Sequence, residues 1–334
     1  MSFLFASSKR STAGSVNGDA SAAATTPSTK THKLLLRPPA NIQVLPRPTL
    51  SAEQQTKVTE LRKHLVELHK SGLPEDDPYH SFEAAWIEED YLPERYLKAV
   101  NWDLNAAKAR MKATLEWRRS FQPERIPPDE VKPEALTGKH CISGFDRQGR
   151  PFFTVTPRHE NTKTYDRQMR YMIWSFERCI QLMPKGVTQL NWVMSLEGQN
   201  QANNPPLSYS RIALNLVQQH YPERLSRAIC NRGPWFFSLF FKLISPFIDP
   251  NTRAKVFFNP HMTDFADPEQ ISTEWEGGQH DYEWDFESYW AQLTEYCGLK
   301  GDGSRLQGPI PVDQNKLVGS ETSQPTGTAQ PSES

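Results

Sequence analysis

The 334-residue sequence has few of the residues that would assign it to a familiar chemical class. Its four cysteines, Cys141, Cys179, Cys230 and Cys297, are widely spaced and form no CxxC pair. Cysteines in this arrangement, without clustered histidines, predict free thiols in a reducing compartment and argue against a zinc site or a disulfide framework. We therefore expect no bound metal.

Neither an excess of charge nor a catalytic signature is present. The chain carries 38 Lys and Arg against 39 Asp and Glu, so its charge gives no reason to expect a nucleic-acid partner. It lacks the glycine-rich nucleotide loops, the GxSxG elbow and the HExxH pair. We expect no cofactor and no enzymatic activity. One alternative stays open, a lipid hydrolase that uses Ser195 or Ser208 with His220.

The N-terminal sequence lacks the apolar core of a secretory signal. "MSFLFASSKRSTAGSVNGDASAAATTPSTK" is rich in Ser, Ala and Thr, and its basic residues are too few for a typical transit peptide. A cytoplasmic protein is favoured, with a mitochondrial one as the weaker alternative. Bulky residues are scarce at both ends, which predicts disordered tails over residues 1–50 and 301–334.

The order of the expected elements indicates an α/β protein with a helical front. Helical periodicity covers residues 51–121, where Ser51 and Gln54 form a capping box and Asp103 is an expected N-cap. From "HCISGF" and "PFFTVT" onward, strand patterns alternate with helical ones, which favours a mostly parallel sheet flanked by helices.

One segment is strongly apolar, "PWFFSLFFKLISPFIDP" at residues 234–250. It is too short to cross a bilayer, which takes roughly 20 apolar residues, and Lys242 and Pro246 interrupt it. Apolar side chains would lie on every side of a helix beginning near Pro234, so the helix is not a simple amphipathic surface helix. It is either deeply buried or a movable wall against an apolar ligand.

Several motifs in order resemble the CRAL-TRIO family of lipid-binding and lipid-transfer proteins. They are "RYLKAVNWDLNAAKARMKATLEWRRSF", "DRQGRPFF", "HYPERL", "PFIDPNTRAKVFF" and "GGQHDYEW", spread over about residues 81–297. Other segments look most like the fungal phosphatidylinositol transfer proteins linked to azole and drug resistance. The resemblance implies a helical module at 51–121, then a CRAL-TRIO domain at 132–298. That domain would have a mostly parallel twisted sheet, an internal lipid pocket and a mobile apolar gate helix.

The resemblance also implies a site. The family's phosphatidylinositol head-group pair falls on Glu223 and Lys255, and Thr252 lies at a third contact position. The pocket and the gate would be formed by Leu190, Trp192, Met194, Trp235, Phe236, Phe237, Phe240, Phe241, Ile244 and Phe247. The ordinary interpretation of the same residues is a buried core helix beside a solvated Lys255.

Two departures from the family pattern affect the expected ligands. Many members have an arginine in the helical module that contacts the head group. The corresponding residue here is Val100, so this contact is missing, and the neighbouring Lys98 is not assigned to replace it. The family's phosphatidylcholine-binding Ser and Thr correspond to Leu190 and Trp192, which predicts that phosphatidylcholine is not bound.

The expected function is therefore non-enzymatic exchange of phosphatidylinositol for a more apolar lipid, such as a sterol. The protein would be a monomer that docks transiently on membranes and presents lipid to a phosphoinositide kinase. A lipid-sensing regulatory module is the alternative.

Overall fold

The computed structural model describes residues 30–199 and 205–305. The expected disorder of residues 1–29 and 306–334 lies outside this part. The predicted tail is wrong for residues 301–305, where the Gly301 carbonyl accepts from the Asp129 N–H at 3.0 Å and Arg305 forms a β-bridge with Leu299. The helical front begins with α1 (Ala52–Gly72), where Ser51 accepts from the Gln54 backbone N–H and the Gln54 side chain accepts in return, as the capping box predicts. After it come α2 (His80–Ile87), α3 (Leu92–Ala99) and α4 (Leu104–Phe121). Asp103 caps α4 through the Ala106 N–H, as predicted.

The second part of the chain is an α/β layer. In chain order its elements are α5 (Pro128–Ala135), β1 (His140–Phe145), β2 (Pro151–Val155), α6 (Tyr165–Leu182), β3 (Leu190–Ser195), α7 (Leu207–His220), β4 (Leu225–Asn231), α8 (Trp235–Ile244), α9 (Pro250–Arg253), β5 (Val256–Phe258) and α10 (Phe286–Tyr296). The strands lie in the order β1-β2-β3-β4-β5; β1 is antiparallel to β2 and the remaining pairs are parallel. This confirms the predicted fold class.

Alternate side chains of the strands face two different environments. Val193 of β3 and Ile229 of β4 pack with Met262 and Ile271, which cover one face of the sheet. On the other face, Trp192 and its neighbours meet α6, whose side chains form the main core of the domain. Successive side chains of a strand point to opposite faces of the sheet. Because these strands have apolar residues at both odd and even positions, both faces of the sheet are covered by packed elements.

The predicted tail over residues 1–50 is wrong for residues 30–50. Leu34 and Leu36 are buried in the main core, and the Thr31 N–H donates to the Asp281 carbonyl. Further along, the Arg47 guanidinium pairs with the carboxylates of Glu94 and Asp90. The composition poor in bulky residues ends near residue 30, and the anchors that follow it each bury an apolar side chain or satisfy a charge on the folded domain.

Candidate binding site

A large cavity lies on the α6 face of the sheet, between the strands and helices α7 and α8. Its volume is about 1110 Å³, slightly above the ~300–1,000 Å³ of ordinary small-molecule sites. The predicted residues that line it are Glu223, Thr252, Lys255, Trp192, Met194, Phe237, Phe240, Phe241 and Ile244.

Four predicted pocket residues lie elsewhere. Leu190 is fully buried in the main core, because the start of β3 packs under α6 and not beside the cavity. Trp235 and Phe236, on the first turn of α8, lie outside the lining, and the Trp235 side chain is 81% exposed. Phe247 follows α8 and is stacked under the Arg211 guanidinium, 4.0 Å from its ring centroid, away from the lining.

The sequence interpretation missed part of the wall. Tyr209, Ala213, Leu216 and Val217 of α7 line the cavity, and no residue of that helix is buried in the core. Their helical spacing was visible in the sequence and could have indicated a second apolar lid. On the far wall, Phe176 of α6 packs edge-to-face on Trp192 at 5.3 Å between ring centroids.

Glu223 and Lys255 come together, as the resemblance implied. The Lys255 Nζ lies 3.5 Å from Glu223 Oε2 and donates to the Leu225 carbonyl at 3.0 Å. Both side chains are about one quarter exposed. Glu223 has φ of +57°, a left-handed conformation that costs a non-glycine residue free energy. Strain of this kind persists where the surrounding structure fixes a side chain for a function.

A buried ionic network fixes the Glu223 turn to the helical module. Arg224 donates two hydrogen bonds of 2.7 Å to the Glu89 carboxylate, which also accepts from Arg95. Arg95 reaches the Pro222 carbonyl at 3.1 Å. Burial would raise the pKa of Glu89, but Arg224 and Arg95 outweigh it and lower that pKa. Burial also lowers the pKa of Arg224 to about 10.

His220 joins the same turn to α4. Its ring stacks on Trp117 at 4.2 Å, and its Nδ1 lies 3.1 Å from the Thr114 hydroxyl. Burial, with a smaller contribution from the nearby Arg118 and Arg110, lowers the pKa of His220 to about 4.

The Lys255 turn is built from short local contacts. Asp249 accepts from the N–H groups of Asn251 and Thr252 at 2.9 and 3.0 Å and so caps the short helix α9. The Asp249 N–H donates to the Gln218 side chain, which in turn donates to the Phe247 carbonyl. Thr252 thereby lines the cavity beside Lys255.

The residues of the hydrolase alternative, Ser195, Ser208 and His220, do not form a nucleophile–base pair in the described part of the chain. Ser195 is buried at the end of β3, Ser208 is in the first turn of α7, and neither is hydrogen-bonded to His220 among the described residues. The one thiol of the cavity lining, Cys230, has its pKa raised to about 12 by burial, so it is a poor nucleophile at neutral pH.

Comparison with known proteins assigns the domain. Residues 136–277 match the model of the CRAL/TRIO domain family. The chain contains a CRAL-TRIO domain, which confirms the recognition made from the motifs. The predicted outer bounds, 132–298, stay a prediction.

The relatives include named lipid transfer proteins. The chain is 28% identical over 299 residues to the phosphatidylinositol transfer protein PDR17 of Saccharomyces cerevisiae, covering 82% of this chain and 84% of the relative. It is 37% identical over 265 residues to a CRAL-TRIO domain-containing protein of Schizosaccharomyces pombe. That match covers 78% of this chain, which spans only 26% of the relative's length. The chain is also 28% identical to the SEC14 cytosolic factor of Kluyveromyces lactis, in a match that covers 62% of this chain and 71% of the relative.

The crystal structure of Sfh5 has the same fold. It covers 73% of this chain and 92% of its own, with a TM-score of 0.56 and 16% identity. In the described part of the chain, no helix combines the length and the apolar character needed to cross a bilayer.

Proposed function

We propose that this protein binds one phosphatidylinositol molecule and carries it between membranes, exchanging it for a more apolar lipid such as a sterol, without catalysing a reaction. The observation that carries the proposal is the cavity, which combines a wide apolar interior with the Glu223–Lys255 ion pair on its wall. The names of PDR17 and other relatives as phosphatidylinositol transfer proteins support the choice of lipid.

The apolar interior suits acyl chains. Aromatic and aliphatic side chains of the sheet, α6, α7 and α8 surround it, including Trp192, Phe176, Leu216, Phe240 and Phe241. Each CH₂ group removed from water contributes about 0.8 kcal/mol, so two ordinary chains are worth on the order of 25 kcal/mol. An apolar cavity that holds both acyl chains keeps them out of water, which makes it possible to extract the lipid from a bilayer.

The polar residues suit an inositol phosphate. A phosphodiester taken from water needs a cation and hydrogen-bond donors. The Lys255 ammonium and the Thr252 hydroxyl supply these, while the Glu223 carboxylate accepts from inositol hydroxyls and orients Lys255.

The outer face of α8 suits a membrane surface. Trp235, Leu239 and Leu243 expose 81%, 57% and 52% of their surface, while Phe237 and Ile244 on the inner face are buried. An apolar surface exposed next to a lipid cavity is typical of a membrane contact site. In the proposed cycle α8 is the gate, which opens against the bilayer.

Phosphatidylcholine is proposed to be excluded. The Leu190 side chain is buried in the core, and Trp192 presents an indole that packs on Phe153 and Phe176 at 5.4 and 5.3 Å. Neither residue offers a hydroxyl to a choline phosphate. A cytoplasmic, monomeric carrier that presents lipid to a phosphoinositide kinase remains the prediction for its cellular setting.

Native mass spectrometry with lipid extraction tests the proposal. Wild type should carry about one phosphatidylinositol per chain, and Glu223→Ala and Lys255→Ala should lose it while staying folded. Lys185→Ala, at an exposed lysine outside the cavity lining, is the matched control and should keep the lipid. A wild-type protein that emerges without phosphatidylinositol would overturn the proposal. Robust transfer of labelled phosphatidylcholine between vesicles would overturn the exclusion of that lipid.

A further inference from the structure

The sequence motifs did not single out Arg110, yet its side chain lines the cavity. It projects from α4 of the helical module to the C-terminal end of α7. Its Nε donates to the Gln219 carbonyl at 3.1 Å, and its Nη2 donates to the Gln218 carbonyl. Both acceptors belong to the last turn of α7, where carbonyls have no partner within the helix. The two bonds orient the guanidinium and leave its Nη1 without a hydrogen-bond partner among the described residues.

Arg110 also has no carboxylate within 4.0 Å in residues 30–199 and 205–305. The two fully buried arginines of the same module do: Arg95 pairs with Glu89, and Arg118 pairs with Glu124. Arg62, half-buried like Arg110, also bonds only to backbone carbonyls in this part of the chain, but it does not line the cavity. A half-buried guanidinium without an ion pair carries a desolvation cost that its carbonyl partners offset only in part.

The carboxylates near this part of the cavity are already engaged. Glu223 pairs with Lys255, and Asp249 accepts from the backbone of α9. Burial lowers the pKa of Arg110, and the nearby Asp249 and Glu223 carboxylates offset this only in part. The cavity wall therefore carries one cation whose charge is not neutralised by a neighbouring carboxylate, together with free donor capacity.

We infer that Arg110 binds a phosphate oxygen of the lipid held in the cavity and acts with Lys255 on the same head group. This inference rests on the proposed function. Lys255 is a point charge that already serves Glu223 and the Leu225 carbonyl, whereas a guanidinium offers directed donors to a phosphate. The ligand class is thus a phospholipid with a charged phosphodiester.

Lys98 and Val100, the other residues of the helical module considered for a head-group contact, do not line the cavity. Lys98 is absent from the cavity lining, and Val100 packs against the core of the helical module, which is built from Leu61, Leu97 and Met111. Arg110, ten residues further along the chain and on the next helix, α4, supplies the cation that position 100 does not.

Three variants of the full chain test the inference. Arg110→Gln removes the charge but keeps a donor for the carbonyls of α7, and Arg110→Lys keeps the charge but not the planar donors. Lys112→Gln is the control, since Lys112 is on the same helix, is exposed and pairs only with Glu116. Each protein is loaded from vesicles of phosphatidylinositol, phosphatidylserine, phosphatidylcholine and cholesterol, and its bound lipids are identified by native mass spectrometry.

Arg110→Gln should lower phosphatidylinositol loading at least about tenfold, because a hydrogen bond between charged groups changes an equilibrium constant by roughly that factor or more. Arg110→Lys should recover part of the loading. Cholesterol loading by Arg110→Gln should equal or exceed that of wild type, and Lys112→Gln should match wild type throughout.

The outcomes separate this inference from the proposed function. Unchanged phosphatidylinositol loading in Arg110→Gln overturns the role of Arg110 while the carrier stands. Loss of cholesterol together with phosphatidylinositol also overturns it, because the variant then damages the cavity as a whole. A wild type that loads phosphatidylserine but no phosphatidylinositol, with the phosphatidylserine lost in Arg110→Gln, supports Arg110 and overturns the inositol proposal. A wild type that loads no charged phospholipid overturns both.

A soluble probe distinguishes the lipid from a free phosphodiester. Glycerophosphoinositol has the same head group without acyl chains. If it binds wild type as tightly as the lipid does in an equilibrium titration, Arg110 belongs to a site for a water-soluble ligand and the lipid assignment is overturned. Weak binding of this probe, beside full loading of phosphatidylinositol, supports the inference.

Discussion

The turn that carries Glu223 and the turn that carries Lys255 contribute the two sides of one ion pair, but different contacts hold them in place. The Glu223 turn is tied to the helical module through Glu89 and Arg95, both buried. The Lys255 turn follows α8, whose outer face is exposed, and is held by the Asp249 cap, by the Gln218 amide and by two hydrogen bonds between Lys255 and the backbone of β4, but by no buried ion pair among the described residues.

This difference explains how one site can both hold and release a lipid. Regions with few buried contacts open at low free energy, whereas buried ionic networks open only with the whole domain. In the proposed cycle, we expect Glu223 to be the fixed half of the head-group site and Lys255 to be the half that moves with α8. The four predictions that follow test this division.

The largest effect is expected for Glu89→Ala. Removing the carboxylate leaves the guanidiniums of Arg95 and Arg224 buried without a counter-charge, which typically costs about 3–5 kcal/mol. Denaturant unfolding of purified protein measures the loss. Glu60→Ala is the control, because Glu60 is half exposed and lies 4.0 Å from Lys108; it should cost less than ~1 kcal/mol. Similar losses in both variants would mean that the Glu223 turn is not specially fixed.

Leu239→Asp, on the outer face of α8, should have the opposite pattern: little change in the free energy of unfolding and a large loss of membrane association. Leu239 is exposed, so the free energy of unfolding should change by no more than about 0.5 kcal/mol. Association with vesicles should fall by a factor of ten or more, since burying a leucine in lipid contributes about 1.5–3 kcal/mol. Flotation with liposomes measures this. Leu45→Asp changes a comparably exposed leucine outside the gate, and an equal loss of flotation there would contradict the assignment of α8 as the contact surface.

Two N-caps provide a smaller and more direct comparison. Asp103→Ala removes the cap of α4 and should lower the free energy of global unfolding by about 1 kcal/mol. Asp249→Ala removes the cap of α9 in the gate turn and should leave global unfolding nearly unchanged. Its effect should instead appear in hydrogen exchange, as faster exchange at Asn251 and Thr252. Equal global losses would place the Lys255 turn within the same cooperative unit as the helical module.

The last prediction concerns pH. His220 accepts a proton near pH 4 in the folded state, whereas an unfolded histidine does so near pH 6.5. The unfolded chain therefore binds more protons between these values, and the contribution of His220 to stability is lost as the pH falls from about 6.5 to about 4. His220→Gln should flatten this part of the stability curve. Above pH 7, where both forms of histidine are neutral, the two proteins should differ by a constant amount; curves that stay parallel at every pH would contradict the prediction.

Local patterns predicted much of the fold. The capping box at Ser51, the cap at Asp103 and the apolar helix after Pro234 depend on neighbours within a few residues, so the sequence was sufficient to place them. The pairing of Glu223 with Lys255 came from motif resemblance, and the structure brings them within 3.5 Å.

Other predictions failed because they depended on distant partners. Residues 30–50 were included in the predicted tail, but the backbone N–H groups of Leu34 and Leu35 donate to the side chains of Gln292 and Ser143, more than a hundred residues away in the chain. Leu190 shares the strand parity of Trp192, yet Leu190 is fully buried in the main core, whereas Trp192, which packs on Phe176 of α6, also lines the cavity.

The sequence by itself determined the helical module, the alternation of strands and helices, and the apolar character of α8, because helix caps and side-chain periodicity act over a few residues. Only the tertiary structure decided that Glu89 supports the Glu223 turn and that Arg110 reaches the cavity from α4. These contacts join segments more than a hundred residues apart, and the burial that gives them their energy exists only after the module and the sheet have packed together.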